Sequence, residues 1–203
     1  MKETILVLGK DDYATVLNSC KLALEMSSGF ILIPTETVYG LVCLWDNETA
    51  KNSIYRAKIR PEHKPFQMLT DSIEMAKRYG CIIDNRTEKI MNAFCPGPIT
   101  IVVPASNGSK IGFRIPEYRF VLNLISYVGK PLAATSANIS GKTPALNIKN
   151  ALSAIKLQPI LTIDGGELPE SSIASTVIDV TDSDIKVLRK GPIPLSAILK
   201  VLK

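Results

Sequence analysis

The chain reads as an α/β domain on three observations. Short apolar, β-branched runs alternate with helix-period segments almost from end to end. The length of 203 residues suffices for one large core hiding ~70% of the unfolded surface, so one domain over 1–203 is expected. Hydrophobic residues make up 46% and charged residues 21%, the proportions of a soluble globular chain rather than a disordered or coiled-coil one.

The elements follow in order. Thr4 to Leu8 is strand-like, and Asp11 or Asp12 caps a helix with the stripe Tyr13, Leu17, Cys20 and Leu24, stopped by Gly29. Phe30 to Ile33 and Leu41 to Leu44 are strands. Glu48 to Lys58 is a helix with Ala50, Ile54 and Ala57 on one side. Phe66 to Thr70 reads as a strand, Ser72 to Tyr79 as a helix and Cys81 to Ile83 as a strand. Asn85 caps a helix that Pro96-Gly97-Pro98 must end after Phe94. Ile99 to Val103, Lys110 to Ile115 and Pro131 to Ala134 are strands, with a helix at Tyr118 to Val128 and another at Asn147 to Ile155. The last third gives strands at Ile160 to Ile163, Ser175 to Val180 and Ile185 to Leu188, then a helix from Leu195 that Pro194 starts. Gly165 to Ser172 is the one stretch flexible enough for a mobile lid, and it serves equally as a surface connection.

Several classes of function fall away. No apolar run approaches the ~20 residues a membrane span requires. Lys10-Asp11-Asp12 interrupts any secretory leader, so a cytoplasmic protein is expected. Cys20, Cys43, Cys81 and Cys95 lie far apart, and His63 is the one histidine, so neither zinc-ligand spacing nor a disulfide framework is expected. The net charge of +5, from 24 Lys and Arg against 19 Asp and Glu, favours an anionic partner without choosing between nucleotide and nucleic acid.

Pro34-Thr35-Glu36-Thr37-Val38-Tyr39-Gly40 concentrates hydroxyls, a carboxylate and a phenol between two strand-like runs, where only Pro34 and Gly40 serve a turn. The segment is suited to contact a ligand, although a kinked strand is the plain alternative. Arg56, Lys58, Arg60, His63 and Lys64 crowd five cationic groups around a helix end closed by Pro61. A cap on the helix dipole would explain one or two of them, and a bound phosphate explains the cluster better. Ala134 to Gly141 again concentrates hydroxyls and an amide after a strand, where ligand loops of open α/β sheets lie. Ser136 and Asn138 share a direction there if the chain is extended, and an Asx turn is the alternative.

Arg114 stands alone in an apolar run and needs an anion if buried, either a substrate carboxylate or an internal Asp or Glu. Ser175 heads a strand, and Arg189-Lys190-Gly191 closes one, with Gly191 admitting a ligand or the chain itself. No catalytic triad, H-E-x-x-H, Walker A or G-x-G-x-x-G pattern occurs, and Glu36 and Glu62 are the carboxylates open to general-acid work. The inventory points to catalysis by positioning and charge neutralisation, as in nucleotidyl transfer.

In order along the chain, PTETVYGL (34–41), KIRP (58–61), PGPIT (96–100), FRIP (113–116), ATSANISG (134–141), DGG (164–166), STVID (175–179) and LRKG (188–191) resemble the YrdC/TsaC family of L-threonylcarbamoyladenylate synthases. The resemblance implies a twisted, mixed parallel/antiparallel sheet flanked by helices, with a concave electropositive site. It implies that L-threonine, bicarbonate or carbon dioxide, and ATP give threonylcarbamoyl-AMP and pyrophosphate. Magnesium would accompany ATP, and no tightly bound cofactor or protein metal site is implied. The product would pass to a tRNA threonylcarbamoyl transferase complex that modifies adenosine 37 of tRNAs reading ANN codons.

By the same resemblance, Lys58 and Arg60 would bind and neutralise the triphosphate as the catalytic pair. Lys64, Ser136, Asn138 and Arg189 would complete the nucleotide site. Thr37, Arg114, Ser175 and the Ala134 backbone would hold threonine, with Arg114 on its carboxylate, Tyr39 in support and Glu36 in no catalytic role. The chain departs from the pattern at Leu69, where many members carry a threonine-reaching His, at Lys64 for Asn, at Cys95 for Trp, and at Ala174. Its length resembles the short form of the family. The competing reading is an RNA-binding module with weak affinity for a phosphate backbone, and a third is a paralogue with another acceptor substrate. RNA readers expose aromatic residues beside their basic patch, and here only Tyr39 and Tyr55 are near candidates.

Overall fold

The computed structural model describes residues 4–61 and 64–203. Its ten strands are β1 (Thr4–Val7), β2 (Ile31–Ile33), β3 (Gly40–Leu44), β4 (Gln67–Leu69), β5 (Ile99–Pro104), β6 (Lys110–Arg114), β7 (Leu132–Ser136), β8 (Leu161–Asp164), β9 (Thr176–Asp179) and β10 (Lys186–Arg189). Its seven helices are α1 (Tyr13–Glu25), α2 (Glu48–Lys58), α3 (Ile73–Arg78), α4 (Asn85–Phe94), α5 (Arg119–Val128), α6 (Ile148–Ser153) and α7 (Leu195–Lys200). All ten strands join one sheet in the order β1-β8-β2-β3-β7-β4-β6-β5-β9-β10. Pairing is parallel at β1/β8, β8/β2, β4/β6 and β5/β9 and antiparallel elsewhere, which is the expected mixed sheet.

Strand alternation sorts the apolar residues onto two faces. On one face Ile31, Ile33, Val42, Leu132, Leu161 and Ile163 meet Val16, Cys20 and Leu24 of α1 and Phe120, Val121 and Leu124 of α5. On the other, Leu32, Leu41 and Cys43 meet Ala50, Ile54 and Ala57 of α2, while Met68, Ile101, Val103, Phe113 and Ile178 meet Ile90 and Met91 of α4 and Ile198 of α7. Helices thus cover the second face along its length. The first face is covered only over β1 to β7, and beyond it β4, β6, β5 and β9 present Gln67, Gly112, Thr100, Val102, Val177 and Asp179 to a cavity. That asymmetry places the site.

Local signals were good guides to most ends. Asp12, Asn47, Ser72, Asp84 and Asn147 each accept a backbone N–H three residues on, capping five helices. Asp84, not Asn85, caps α4, since its carboxylate takes both the amide and the hydroxyl of Thr87. The stripe of α1 turns by one position: Val16, Cys20, Ala23 and Leu24 are buried and Tyr13 is exposed. Cys81 to Ile83 forms no strand, only a bridge between Cys81 and Ala105. β7 runs two residues past Ala134 because Thr135 and Ser136 keep their partners Leu41 and Gly40 on β3. All four cysteines are free.

Candidate functional site

The open half of the sheet forms a cavity of about 390 Å³, walled by Gln67, Thr100, Gly112 and Val177 on the strands, with Arg60, Lys110 and Arg189 among its cations. Ala134, Thr135 and Ser136 at the end of β7 close one side. A smaller pocket of about 20 Å³ adjoins it, lined by Thr35, Thr37, Leu69, Arg114 and Pro116. Gln67, Ala134, Thr135 and Ser136 belong to both walls. A carboxylate seated on Arg114 would therefore leave the body of its molecule in the larger space.

Helix α2 delivers the basic residues. Its last residue, Lys58, is buried, and Ile59 then adopts φ 48°, the left-handed region, so the chain reverses sharply before Arg60. The Lys58 ammonium donates to the Ser136 carbonyl and to Asn138 Oδ1, the latter at 3.3 Å. Burial, with the nearby Arg60 charge adding to it, pushes Lys58 down to about 7. Arg60 reaches the larger cavity while donating to the carbonyls of Lys64 (3.3 Å) and Pro65 (2.9 Å). Burial also holds its guanidinium below the ordinary arginine value. Lys64 donates to Ser140 Oγ at 3.3 Å, and His63 and Glu62 lie outside the described residues.

The loop after β7 is tied to itself. Asn138 Nδ2 donates to the carbonyls of Ile139 (2.9 Å) and Lys142 (2.5 Å), while its Oδ1 accepts from Ser136 Oγ at 2.5 Å. Asn138 thus lies behind the wall as an Asx-type brace over Lys58, and Ser136 faces both spaces.

Arg114 is 3% exposed, so its charge requires partners. Its Nη2 donates to Glu36 Oε1 at 2.5 Å, Nη1 to Thr37 Oγ1 at 3.1 Å and Nε to the Gly97 carbonyl at 3.2 Å. Of the two candidates for its anion, the internal carboxylate is present as Glu36, and Arg114 also lines the smaller pocket. Glu36, given no catalytic role by the sequence reading, has this electrostatic one. Across the larger cavity, Arg189 donates to the Ser175 carbonyl (2.9 Å) and Ser175 Oγ (3.0 Å). Burial and the Arg114 charge lower its pKa. Gly191 admits the chain rather than a ligand, since a Cβ there would meet the Thr176 amide nitrogen at 2.3 Å.

Tyr39 is fully buried and anchors the DGG segment, donating to the Gly166 carbonyl at 2.7 Å and accepting from the Gly165 N–H at 3.0 Å. Leu168 N–H donates to the Leu146 carbonyl at 2.8 Å, so the 165–172 stretch is pinned in its middle and lines neither cavity. Sequence reasoning passed over Gln67, Thr100, Lys110 and Asp179. The available signal was a polar residue at alternate positions of otherwise apolar strands. Lys110 and Asp179 pair at 2.9 Å in the cavity wall.

Comparison with known proteins fits this geometry. The Sua5/YciO/YrdC family model, described as telomere recombination, matches residues 26–191. A Pyrococcus abyssi protein named threonylcarbamoyl-AMP synthase is 34% identical over 194 residues, covering 88% of this chain, and a Mus musculus protein of the same name is 33% identical over 172 residues, covering 77%. The chain spans 57% and 60% of those two relatives' lengths. The crystal structure of P. abyssi Sua5 complexed with L-threonine superposes with a TM-score of 0.85 at 30% identity, covering 100% of this chain and 61% of that one. The matched span contains the strands and loops that wall both cavities, and the chain belongs to the Sua5/YciO/YrdC family.

Proposed function

We propose that this chain, acting as one domain over 1–203, is a nucleotidyltransferase that makes threonylcarbamoyl-AMP and pyrophosphate from L-threonine, bicarbonate or carbon dioxide, and ATP. One observation carries the reading: a nucleotide-sized cavity bordered by Arg60 and Arg189 shares the wall Gln67-Ala134-Thr135-Ser136 with a pocket built on Thr37 and buried Arg114. Two substrates held there meet at that wall. The names of the relatives and the threonine complex of the P. abyssi protein support the identities of product and amino acid.

In this reading Arg114 takes the threonine carboxylate, Thr37 and the Ala134 backbone orient the rest, and Ser175, itself buried, acts from behind through Arg189 and Thr100. The amine, converted to a carbamate, presents an oxygen to the α-phosphorus. A P–O bond forms there as the bond to pyrophosphate breaks. Arg60 and Arg189, which border the cavity, neutralise the charge that moves onto pyrophosphate, and Ser136 contacts the nucleotide. Lys58 adds its charge from behind the wall, where Asn138 braces it and Lys64 ties down the neighbouring loop at Ser140. Among the described residues, the wall of the larger cavity carries one carboxylate, Asp179, which is paired with Lys110. Magnesium would enter on the ATP phosphates.

A cytoplasmic setting and transfer of the product to a tRNA threonylcarbamoyl transferase complex complete the reading. No helix among the described residues is long and apolar enough to cross a membrane. The RNA-binding alternative is weakened by its two aromatic candidates: Tyr39 is fully buried, and Tyr55 packs edge-on against Phe66 at 4.9 Å. The test incubates pure protein with ATP, bicarbonate and labelled threonine. Threonine-dependent pyrophosphate and an AMP adduct are expected, and folded protein yielding neither would refute the assignment.

A further inference from the structure

We infer that Gln67 contacts the reacting groups directly, its amide NH₂ turned by Thr100 into the junction of the two cavities to donate a hydrogen bond to the carbamate or α-phosphate oxygen there. The inference rests on the function proposed above. Gln67 is a wall residue of both spaces, on β4 between Gly112 of β6 and Ala134 of β7. Those neighbours are too small to cover it. Leu69, two residues on and on the same face, is apolar, so Gln67 is the strand's polar group on that face.

The direction of the hydrogen-bond chain that ends on the amide oxygen follows from counting protons. Thr100 Oγ1 donates to Gln67 Oε1 at 2.8 Å. Thr100 has one proton, so in its 2.9 Å contact with Ser175 Oγ the serine must be the donor. Ser175 in turn accepts from Arg189 Nη2 at 3.0 Å. The chain runs in one direction, from Arg189 through Ser175 and Thr100 to the Gln67 carbonyl oxygen. That oxygen is engaged, and the NH₂ group, without a hydrogen-bond partner among the described residues, is what Gln67 offers the cavity.

The smaller pocket repeats the device with the opposite result. Thr35 Oγ1 donates to the Val38 carbonyl at 2.7 Å, so across the 3.0 Å contact Thr37 donates to Thr35 while accepting from Arg114 at 3.1 Å. Thr37 then offers a ligand a lone pair and no proton. The site presents an acceptor at Thr37 for a substrate N–H or O–H, and donors at Arg114, Gln67 and Arg189 for oxygens. A carbamoylated amino acid approaching a phosphate matches that pattern.

The test measures kcat and KM for L-threonine and ATP in the pyrophosphate assay for wild type, Gln67→Leu, Gln67→Glu and Thr100→Val. Loss of a hydrogen bond to a charged group predicts a fall in kcat/KM of about 10- to 100-fold for Gln67→Leu. Gln67→Glu keeps an oxygen for Thr100 but replaces the donor with a carboxylate, so it should fall further. Thr100→Val, which frees the amide to rotate, should lose less than either. A purely structural Gln67 would reverse the first two, because Glu preserves the bond to Thr100 and Leu does not. Unfolding midpoints accompany each variant, with Gln67→Met replacing the Leu variant if that one does not fold. Glu equal to or better than the apolar variant, or an apolar variant within about twofold of wild type, overturns the inference alone. A wild type without threonine-dependent pyrophosphate release overturns the proposed function and this inference with it.

Discussion

Glu36 Oε1 accepts hydrogen bonds from Arg114 Nη2 at 2.5 Å and from the Glu117 backbone N–H at 2.8 Å, joining the 34–40 segment to β6 and the turn after it. The pair is mostly buried, with side chains 3% and 16% exposed. Removing one partner of such a pair leaves an uncompensated charge. Glu36→Ala should therefore destabilise the fold by about 3 kcal/mol, and Glu36→Gln by less. Urea unfolding midpoints measure both, and an unchanged midpoint in the Ala variant would show that Arg114 needs no internal anion.

Lys58 sets a pH dependence. Its pKa is about 7 in the fold against an ordinary 10.5, so between these values the unfolded chain binds more protons and stability rises with pH. Below about 7 both states are charged and the whole cost of burying the ammonium is present. Binding a triphosphate favours the charged form, so above pH 7 ATP should bind with proton uptake and weaken by up to about tenfold per pH unit. Titration calorimetry in buffers of different ionisation heat reads the uptake directly, and Lys58→Met should abolish it.

Gly191 packs tightly against the backbone of residues 174–176. A methyl there would meet Thr176 N at 2.3 Å, the Ser175 carbonyl carbon at 2.6 Å and Ala174 O at 2.7 Å, all backbone atoms that cannot rotate away. Gly191→Ala should cost about 2–4 kcal/mol. It should also lower pyrophosphate release by displacing Arg189 from Ser175. Thermal unfolding and the synthase assay on one preparation test both outcomes.

Tyr39→Phe removes only the hydroxyl that bridges Gly165 and Gly166. The expected cost is about 1–2 kcal/mol, with faster amide exchange confined to the 164–168 stretch. Exchange unchanged at those amides would mean that other contacts hold the segment.

Ile59 is a β-branched residue at φ 48°, where a glycine carries no steric penalty. Its side chain is exposed, so little packing is lost on replacement. Ile59→Gly should stabilise the fold by about 1 kcal/mol while leaving Lys58 and Arg60 in place. A higher urea midpoint with unchanged ATP affinity is the expected result.

The α/β class, nearly every element and the segments that build the site were legible in the amino-acid sequence. Alternating apolar strands, helix stripes and capping residues such as Asp12, Asn47 and Ser72 are local signals, and motif order carried the family resemblance. Tertiary structure alone decided what each polar side chain faces. Lys58 and Asn138 stand behind the wall because the turn at Ile59 tucks the end of α2 beneath the β7 loop. Arg114 meets Glu36, 78 residues away, because β6 returns beside β4 and faces the 34–40 segment. Gln67 and Thr100 looked like incidental polar positions in two strands. They become a wall only because β4, β6 and β5 lie side by side on the half of the sheet face that α1 and α5 leave open. Pairing across the sheet is a non-local property, set by which strands neighbour one another, and no local spacing encodes it.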